Sequence, residues 1–288
     1  MTGLCKADAF AVDTKTSGTL TGLRWGSASD TPVLALHGWL DNASSFAPLA
    51  AHLAGFQLLA LDFPGHGHSQ HRPPGMRYHL MDYVPAVLEA AEALGFESGL
   101  IMGHSLGGAI AGLVAIAAPE RVKAMILIEA LGPLSESETK LPGRLRNSVA
   151  GYARAQTRSS PVYPDIGALV ATRARIGAMH ETSARLLIER NVREEGDGYR
   201  WRSDPRLRLD SPVFLTEPQV LACLKAIEKP TQVLLGNEGL LAERDTLGPR
   251  LEALDSNDVR WFDGAHHLHM DQPEVIANAA REFLSQFA

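Results

Sequence analysis

The 288-residue sequence predicts an α/β fold built on a parallel sheet. Apolar segments of strand length recur along the chain, and each ends at a loop rich in Gly, His, Asp or Pro. Segments that are apolar throughout are typical of strands buried on both faces, as in a parallel sheet. Helical segments separate them, and this alternation is the second observation that indicates the fold class. With 45% hydrophobic and 21% charged residues, the composition excludes disordered, collagen-like and coiled-coil chains.

The predicted elements follow one another in a regular order from the N-terminus. Phe10–Trp25 alternates loosely around Ser17-Gly18 and predicts a β-hairpin. Buried strands and helices then alternate. The strands are predicted at Val33–Leu36, Phe56–Leu61, Leu100–Met102 and Met125–Ile128, and the helices at Phe46–Ala54, Tyr83–Leu94 and Leu106–Ala118.

The pattern changes at Leu131 and resumes after Thr216. In between, prolines separate short helical stretches such as Ser183–Arg193, and no alternating strand pattern occurs. After Thr216 a helix, two strands and a closing helix that starts at Pro273 are predicted. These last elements span Val220–Ile227, Thr231–Leu235, Val259–Phe262 and Glu274–Phe287.

Charge also distinguishes the middle of the chain. Residues 133–212 contain 14 Lys and Arg, 13 of them Arg, against 10 Asp and Glu, so their net charge is +4 while the remainder carries −10. This shift predicts an inserted unit over 133–212 within a core made of 1–132 and 213–288. Two interpretations of the Arg-rich segment stay open: it steers an anionic substrate, or it is a solvated helical surface.

Several protein classes are disfavoured by composition. The net charge of −6 argues against general nucleic-acid binding. No stretch approaches 18 consecutive apolar residues, so no membrane span is expected, and the first ten residues lack the apolar core of a secretory signal. The two cysteines, Cys5 and Cys223, are far apart and favour a reducing compartment, so a cytoplasmic location is predicted.

The strongest chemical signal is Gly103-His104-Ser105-Leu106-Gly107, a G-x-S-x-G pattern between a predicted strand and a predicted helix. A tight strand-to-helix turn of this kind projects the serine into a cleft, and glycines remove side chains that would clash there. Ser105 is therefore the candidate nucleophile. The Leu106 amide, at the start of the helix, is a candidate donor to an oxyanion.

A serine nucleophile needs a base and a second oxyanion donor. The segment Gly264-Ala265-His266-His267-Leu268-His269 follows the last predicted strand and supplies the base, with His266 as first choice and His267 as second. His37-Gly38-Trp39 follows an earlier strand, and its Trp39 amide is the predicted second donor.

These motifs together resemble the α/β-hydrolase family over nearly the whole chain. LHGWLDNASSF and AHHLHMDQPE resemble the serine hydrolase-like branch of that family. The resemblance implies an eight-stranded, mostly parallel sheet with helices on both faces, a helical lid after the sixth strand and Ser105 as nucleophile. The predicted reaction requires no cofactor. The resemblance also favours His266, because the family's catalytic histidine usually stands seven residues before the proline of the last helix, here Pro273.

The acid of the triad departs from the family pattern. The resemblance places an Asp at position 239, where this chain has Gly239. Glu238 is one residue early, and Glu129 ends the sixth strand, where some relatives carry their acid. Glu129 is favoured because a carboxylate at the end of a buried strand needs a partner. A salt bridge to an arginine of the middle segment is the alternative explanation for it.

The predicted activity is hydrolysis of a carboxylic ester or related acyl bond in a small molecule through an acyl-enzyme. Alternatives are a cofactor-free C–C hydrolase or haloperoxidase-like enzyme on the same triad, and a non-catalytic ligand receptor on the same fold. A metal site at His66, His68 and His71 is disfavoured, because Gln70 stands where a metallo-hydrolase pattern needs a ligand.

Overall fold

The computed structural model describes residues 6–155, 161–256 and 258–288. Eight strands form its main sheet: β1 (Asp8–Thr14), β2 (Gly18–Trp25), β3 (Thr31–Leu36), β4 (Phe56–Leu61), β5 (Gly99–His104), β6 (Val122–Ile128), β9 (Thr231–Gly236) and β10 (Asp258–Phe262). Their spatial order is β1-β2-β4-β3-β5-β6-β9-β10. The β1–β2 and β2–β4 pairs are antiparallel and the other five are parallel. The predicted eight-stranded, mostly parallel sheet is confirmed.

Helices cover both faces of this sheet. Alternate residues of the central strands point to opposite sides, so that Leu34 and Ile101 pack in one apolar core while Val33 and Leu100 pack in the other. The helices around the sheet are α1 (Ala47–Ala50), α2 (Tyr83–Ala93), α3 (Leu106–Ala117), α7 (Glu217–Lys225), α8 (Leu247–Leu254), α9 (Leu268–Asp271) and α10 (Pro273–Leu284). The first core includes residues of α2, α3, α7 and α8, and the second includes residues of α1 and α10.

The segment 133–212 lies between β6 and α7 and has a small apolar core of its own. It contains α4 (Leu141–Ala155), α5 (Ile166–Gly177) and α6 (Glu181–Asn191), followed by the antiparallel pair β7 (Val192–Glu195) and β8 (Gly198–Trp201). In this core, Val170 and Leu187 pack in one cluster with Met270, a residue outside the segment. The division of the chain into a core and an inserted unit stays a prediction.

The middle segment contains the β7–β8 hairpin, although its sequence shows no alternating strand pattern. The helix expected over Ser183–Arg193 ends at Asn191, and Arg193 belongs to β7. Gly196 turns the chain with a φ of 60°, a conformation that glycine adopts readily. Strands of four residues are too short to produce a recognisable alternation in the sequence.

Two buried ion pairs join the middle segment to the sheet. Arg173 of α5 contacts Asp41 at 2.5 Å, and Arg190 of α6 contacts Asp62 at 2.6 Å. Both carboxylates are almost completely inaccessible to solvent. The Arg-rich segment therefore uses two of its guanidinium groups to contact acids of the sheet region. Among the described residues, no helix has both the length and the apolar character needed to cross a bilayer.

Candidate active site

A sharp turn between β5 and α3 carries Ser105. Its φ of 52° lies in the left-handed region that residues with a Cβ rarely adopt. A Cβ at position 103 would lie 2.5 Å from the backbone of Gly107, and one at position 107 would lie 1.9 Å from the carbonyl oxygen of Leu36. The turn is therefore possible because both positions are glycine. It is the strand–turn–helix arrangement that the G-x-S-x-G pattern predicts.

His266 and Glu129 meet at the same edge of the sheet. His266 follows β10 and Glu129 follows β6, and Nδ1 of the imidazole lies 3.1 Å from Oε2 of the carboxylate. The Glu129 side chain is fully buried, whereas 14% of the His266 side chain is exposed. Because a carboxylate accepts hydrogen bonds, this contact assigns the proton to Nδ1 and leaves the lone pair on Nε2. That tautomer is the one a general base needs in this chemistry.

Backbone groups fix the Glu129 carboxylate. Its Oε1 accepts a hydrogen bond from the Gly236 amide and its Oε2 accepts one from the Leu240 amide, each at 2.9 Å. A Cβ at position 239 would lie 2.3 Å from Oε1. The carboxylate thus fills the space beside Gly239, the position at which the family pattern has its Asp. The other candidate, Glu238, is exposed and has no hydrogen bond to His266 within the described parts of the chain.

His104, which directly precedes Ser105 in the sequence, contacts His266. Nε2 of His104 lies 2.9 Å from the carbonyl oxygen of His266, and the two ring centroids are 4.8 Å apart. In the regions that the structure describes, no hydrogen bond joins the Ser105 hydroxyl directly to His266. Catalytic hydrogen bonds are often long in free enzymes and shorten when substrate binds. The nucleophile and base candidates therefore lie on adjoining loops.

The two predicted oxyanion donors also belong to neighbouring loops. Position 107 abuts the carbonyl oxygens of Leu36 and His37, so the loop after β3 packs on the start of α3. Within residues 6–155, 161–256 and 258–288, neither the Trp39 nor the Leu106 amide donates a hydrogen bond. The Trp39 indole is 52% exposed and its Nε1 donates to the carbonyl oxygen of Leu207, which lies in the middle segment.

The other two histidines of the C-terminal loop have different surroundings. Nε2 of His267 lies 3.4 Å from Oδ2 of Asp41 and 3.1 Å from Nη2 of Arg173. Burial alone would raise the pKa of Asp41, but the Arg173 guanidinium holds it well below its ordinary value. His269 is fully buried beside Phe46, and burial lowers its pKa to about 3.

Asp41, Arg173 and His104 are the residues of this region for which sequence reasoning found no role. Asp41 stands in the LHGWLDNASSF stretch and His104 in the G-x-S-x-G pattern, so both were within reach of motif analysis. Arg173 is one of 13 arginines in the middle segment, and nothing in the sequence distinguishes it from the others.

The histidines of the loop after β4 do not join a common ligand set. Nδ1 of His66 contacts the Pro64 carbonyl oxygen at 3.1 Å, and burial lowers the pKa of His66 to about 3. His71 contacts the carbonyl oxygen of Arg202. Within the described residues, the group whose donor atoms do converge is Asp41, His104 and His267.

A cavity of about 480 Å³ lies in the middle segment, away from Ser105. It surrounds the ion pair between Arg144 and Glu136 and is also lined by Arg146 and Asp210. Because both signs of charge line it, the cavity does not provide a simple anion site. The function is therefore inferred from the residues that follow the strands of the main sheet, and not from this cavity.

A family model described as the alpha/beta hydrolase fold matches residues 31–273. The chain belongs to this family. A serine hydrolase-like protein of Danio rerio is 31% identical to this α/β-hydrolase over 93% of the chain and 85% of the relative. A crystal structure of a hypothetical protein from Pseudomonas aeruginosa PAO1 has 36% identity and a TM-score of 0.88, covering 98% of this α/β-hydrolase and 99% of the other chain.

A third known structure is similar at a lower sequence identity, and this similarity shows the fold alone. The thioesterase domain from the curacin biosynthetic pathway is 24% identical to this α/β-hydrolase, with a TM-score of 0.82 over 95% of this chain and 98% of that domain. Together the similarities confirm the family and branch that the sequence motifs indicate, and they support a hydrolase.

Proposed function

We propose that this protein is a serine hydrolase that cleaves a carboxylic ester or related acyl bond in a small molecule. Ser105 is the proposed nucleophile, His266 the base and Glu129 the acid. The observation that carries the proposal is the 3.1 Å contact between His266 Nδ1 and Glu129 Oε2, made at the edge of the sheet where Ser105 stands on its strained turn. The names of the serine hydrolase-like relatives agree with it.

In the first half of the reaction, His266 Nε2 removes the proton from the Ser105 hydroxyl as Oγ attacks the acyl carbon. The carbonyl π electrons move to oxygen, and the amides of Trp39 and Leu106 donate hydrogen bonds to that oxyanion. Glu129 stabilises the imidazolium that forms. When the tetrahedral intermediate collapses, the bond to the leaving group breaks, and the imidazolium passes its proton to the departing oxygen.

Water completes the cycle. His266 takes a proton from water, the hydroxide oxygen attacks the acyl carbon, and the second intermediate expels Ser105 Oγ, which recovers the proton from His266. The products are a carboxylic acid and the regenerated enzyme. Each of these steps uses groups of this chain and a water molecule, so the scheme requires no cofactor.

We further propose that residues 133–212 act as a lid over this site. The Trp39 indole donates to the Leu207 carbonyl oxygen, so the loop bearing an oxyanion donor touches the middle segment directly. Lids of this kind exclude water and select substrates. A cytoplasmic location completes the proposal and rests on the two widely separated cysteines of the sequence.

The nucleophile is tested by covalent labelling together with turnover. An activated phosphonate should label the wild-type protein on Ser105, and Ser105→Ala should lose both labelling and hydrolysis of short p-nitrophenyl esters, with kcat falling by about 10⁴-fold or more. Ser44→Ala is the matched control, because it makes the same substitution in the 3₁₀ turn Ala43–Phe46. It should retain both phosphonate labelling and ester hydrolysis. Peptide mass mapping identifies the labelled residue.

Labelling at a residue other than Ser105, or undiminished hydrolysis by Ser105→Ala, would contradict the proposal. Absence of both labelling and ester hydrolysis in the wild type would favour a ligand receptor. Labelling without hydrolysis of any acyl ester would favour the C–C hydrolase or haloperoxidase-like alternatives.

A further inference from the structure

Three buried side chains converge behind the proposed catalytic groups. Asp41 comes from the loop after β3, His104 ends β5, and His267 lies between β10 and α9. Their donor atoms all lie within 4.8 Å of one another. Oδ2 of Asp41 is 3.4 Å from His267 Nε2 and 3.7 Å from His104 Nδ1. One carboxylate oxygen thus faces two imidazole nitrogens.

Hydrogen bonds to backbone carbonyl groups assign the tautomers of both imidazoles. Nε2 of His104 lies 2.9 Å from the His266 carbonyl oxygen and Nδ1 of His267 lies 3.3 Å from that of Gly177, so these nitrogens carry the protons. The lone pairs on His104 Nδ1 and His267 Nε2 then point toward Asp41. His104 Nδ1 is buried and has no hydrogen-bond partner among the described residues.

This is the state in which such groups bind a metal ion. Metal-binding histidines are neutral, and they usually donate their second nitrogen to a carbonyl or carboxylate oxygen. His104 shows this arrangement, because its Nε2 faces the His266 carbonyl oxygen while its buried Nδ1 has no hydrogen-bond partner within the described residues. Zinc binds nitrogen and oxygen at about 2.0–2.1 Å, so neighbouring ligand atoms of a tetrahedral ion lie about 3.4 Å apart. The two measured separations are close to that spacing.

The guanidinium of Arg173 lies beside Asp41 and His267, where a metal ion bound to these residues would lie. Its Nη2 lies 2.5 Å from Oδ1 of Asp41 and 3.1 Å from Nε2 of His267. A cation is therefore already bound to two of the three ligands. Because Arg173 belongs to α5 and its side chain is 21% exposed, it can turn toward solvent when another cation takes its position.

We propose that Asp41, His104 and His267 form an inhibitory site for a zinc-type divalent ion, which binds in competition with Arg173. The ion would have three protein ligands and an open fourth position. His104 and His267 directly precede and follow Ser105 and His266 in the sequence, so an ion that draws their rings together disturbs the proposed nucleophile and base. It also releases Arg173 and with it one of the two buried ion pairs to the middle segment.

Direct binding provides the first test and requires no catalysis. Purified full-length protein is stripped with a chelator, and Zn²⁺ affinity is measured by competition with a chromophoric chelator, with Co²⁺ absorption reporting tetrahedral coordination. One ion should bind per chain. Arg173→Gln should bind Zn²⁺ at least about tenfold more tightly, because the competing cation is gone, whereas His267→Gln should bind it at least about tenfold more weakly. His180→Gln, a histidine whose side chain is 69% exposed, is the matched control and should bind as the wild type does.

The outcome for Arg173→Gln is decisive. Unchanged or weaker affinity in that variant would overturn the competition, and loss of the ion in His180→Gln would assign it to another site. If His267→Gln does not fold, as judged by circular dichroism, His104→Gln takes its place with the same expectation. Ser105→Ala should still bind one ion, so failure of the metal site and failure of the proposed hydrolase are distinguishable. In the wild type, Zn²⁺ should reduce phosphonate labelling, and a chelator should restore it.

Discussion

Glu129 and Asp62 occupy equivalent places in the fold but have different partners. Each directly follows a strand of the parallel sheet, and each carboxylate is buried. Asp62 accepts hydrogen bonds from the guanidinium of Arg190 and from the Ala43 amide, the latter at 2.8 Å. Arginine stays protonated, so this partner cannot exchange a proton with the carboxylate. Glu129 accepts two backbone hydrogen bonds and faces His266, the proposed base.

The difference between the two acids comes from residues far away in the sequence. Arg190 is 128 residues from Asp62, and His266 is 137 residues from Glu129. A salt bridge to an arginine of the middle segment was the alternative explanation for Glu129, and the structure gives that salt bridge to Asp62. An acid at the end of a buried strand therefore predicts a partner. The partner's identity, which separates an anchoring role from a chemical one, depends on the tertiary fold.

The largest effect should follow from removing the charge of Glu129. Glu129→Gln cannot stabilise the imidazolium of His266, so we expect kcat to fall by about 10³-fold with KM little changed. Glu238→Gln is the matched control, because it makes the same substitution on an exposed side chain, and it should alter kcat by less than about threefold. Steady-state hydrolysis of a p-nitrophenyl ester measures both. A larger loss in Glu238→Gln than in Glu129→Gln would reverse the assignment of the acid.

A smaller effect, on stability rather than turnover, should follow from breaking the Asp62 pair. Arg190→Met leaves a buried carboxylate without its cation, and we expect the free energy of unfolding to fall by about 3–5 kcal/mol. Asp62→Asn/Arg190→Met should lose less than the sum of the two single variants, because the interaction is removed only once. Urea denaturation gives the three values. Additive losses would mean that the two residues do not stabilise each other.

The same pair has a signature in the pH dependence of stability. Burial alone would raise the pKa of Asp62, but Arg190 lowers it below its ordinary value of 3.8. The unfolded chain then binds the proton more readily, so the stabilisation is present above pH 3.8 and is lost as the pH falls through the lower pKa of the folded state. The fall in unfolding free energy below pH 4 should therefore be shallower in Asp62→Asn than in the wild type.

Sequence reasoning succeeded where local sterics decide the structure. The strand predicted at Phe56–Leu61 has those bounds in the structure, and the turn at Ser105 forms because Gly103 and Gly107 permit it. The helix predicted at Phe46–Ala54 was less accurate: a 3₁₀ turn ends at Phe46 and α1 covers Ala47–Ala50. Short apolar segments of this kind carry too few residues to define a helical period.

Long-range pairing limited the remaining predictions. The choice between Glu129 and Glu238 required knowing which carboxylate reaches His266, and that depends on the adjacency of β6 and β9 in the sheet. The contacts of Arg173 with Asp41 and His267 join three distant parts of the chain. No local pattern identifies such partners. Motifs therefore predict which segments form the site, but they do not predict which side chains in it form hydrogen bonds with each other.

The smallest effect we expect comes from moving the acid to the position of the family pattern. A Cβ at position 239 would lie 2.3 Å from the Glu129 carboxylate, so Gly239→Asp alone should lower kcat. Glu129→Gly removes that carboxylate and suits the φ of 49° at position 129. The new side chain in Glu129→Gly/Gly239→Asp can then project into the vacated space beside the Gly236 and Leu240 amides. We expect the double variant to hydrolyse ester about tenfold faster than Glu129→Gly.

The matched control for this exchange is Glu129→Gly/Gly239→Asn, which has nearly the same shape without the charge and should remain as slow as Glu129→Gly. If the Asp and Asn double variants have equal kcat, the carboxylate at position 239 cannot orient His266. The role of Glu129 would then depend on its own backbone position at the end of β6. A faster Asp variant would mean that the cleft accepts an acid from either of two adjacent strands, provided that its oxygen reaches His266 Nδ1.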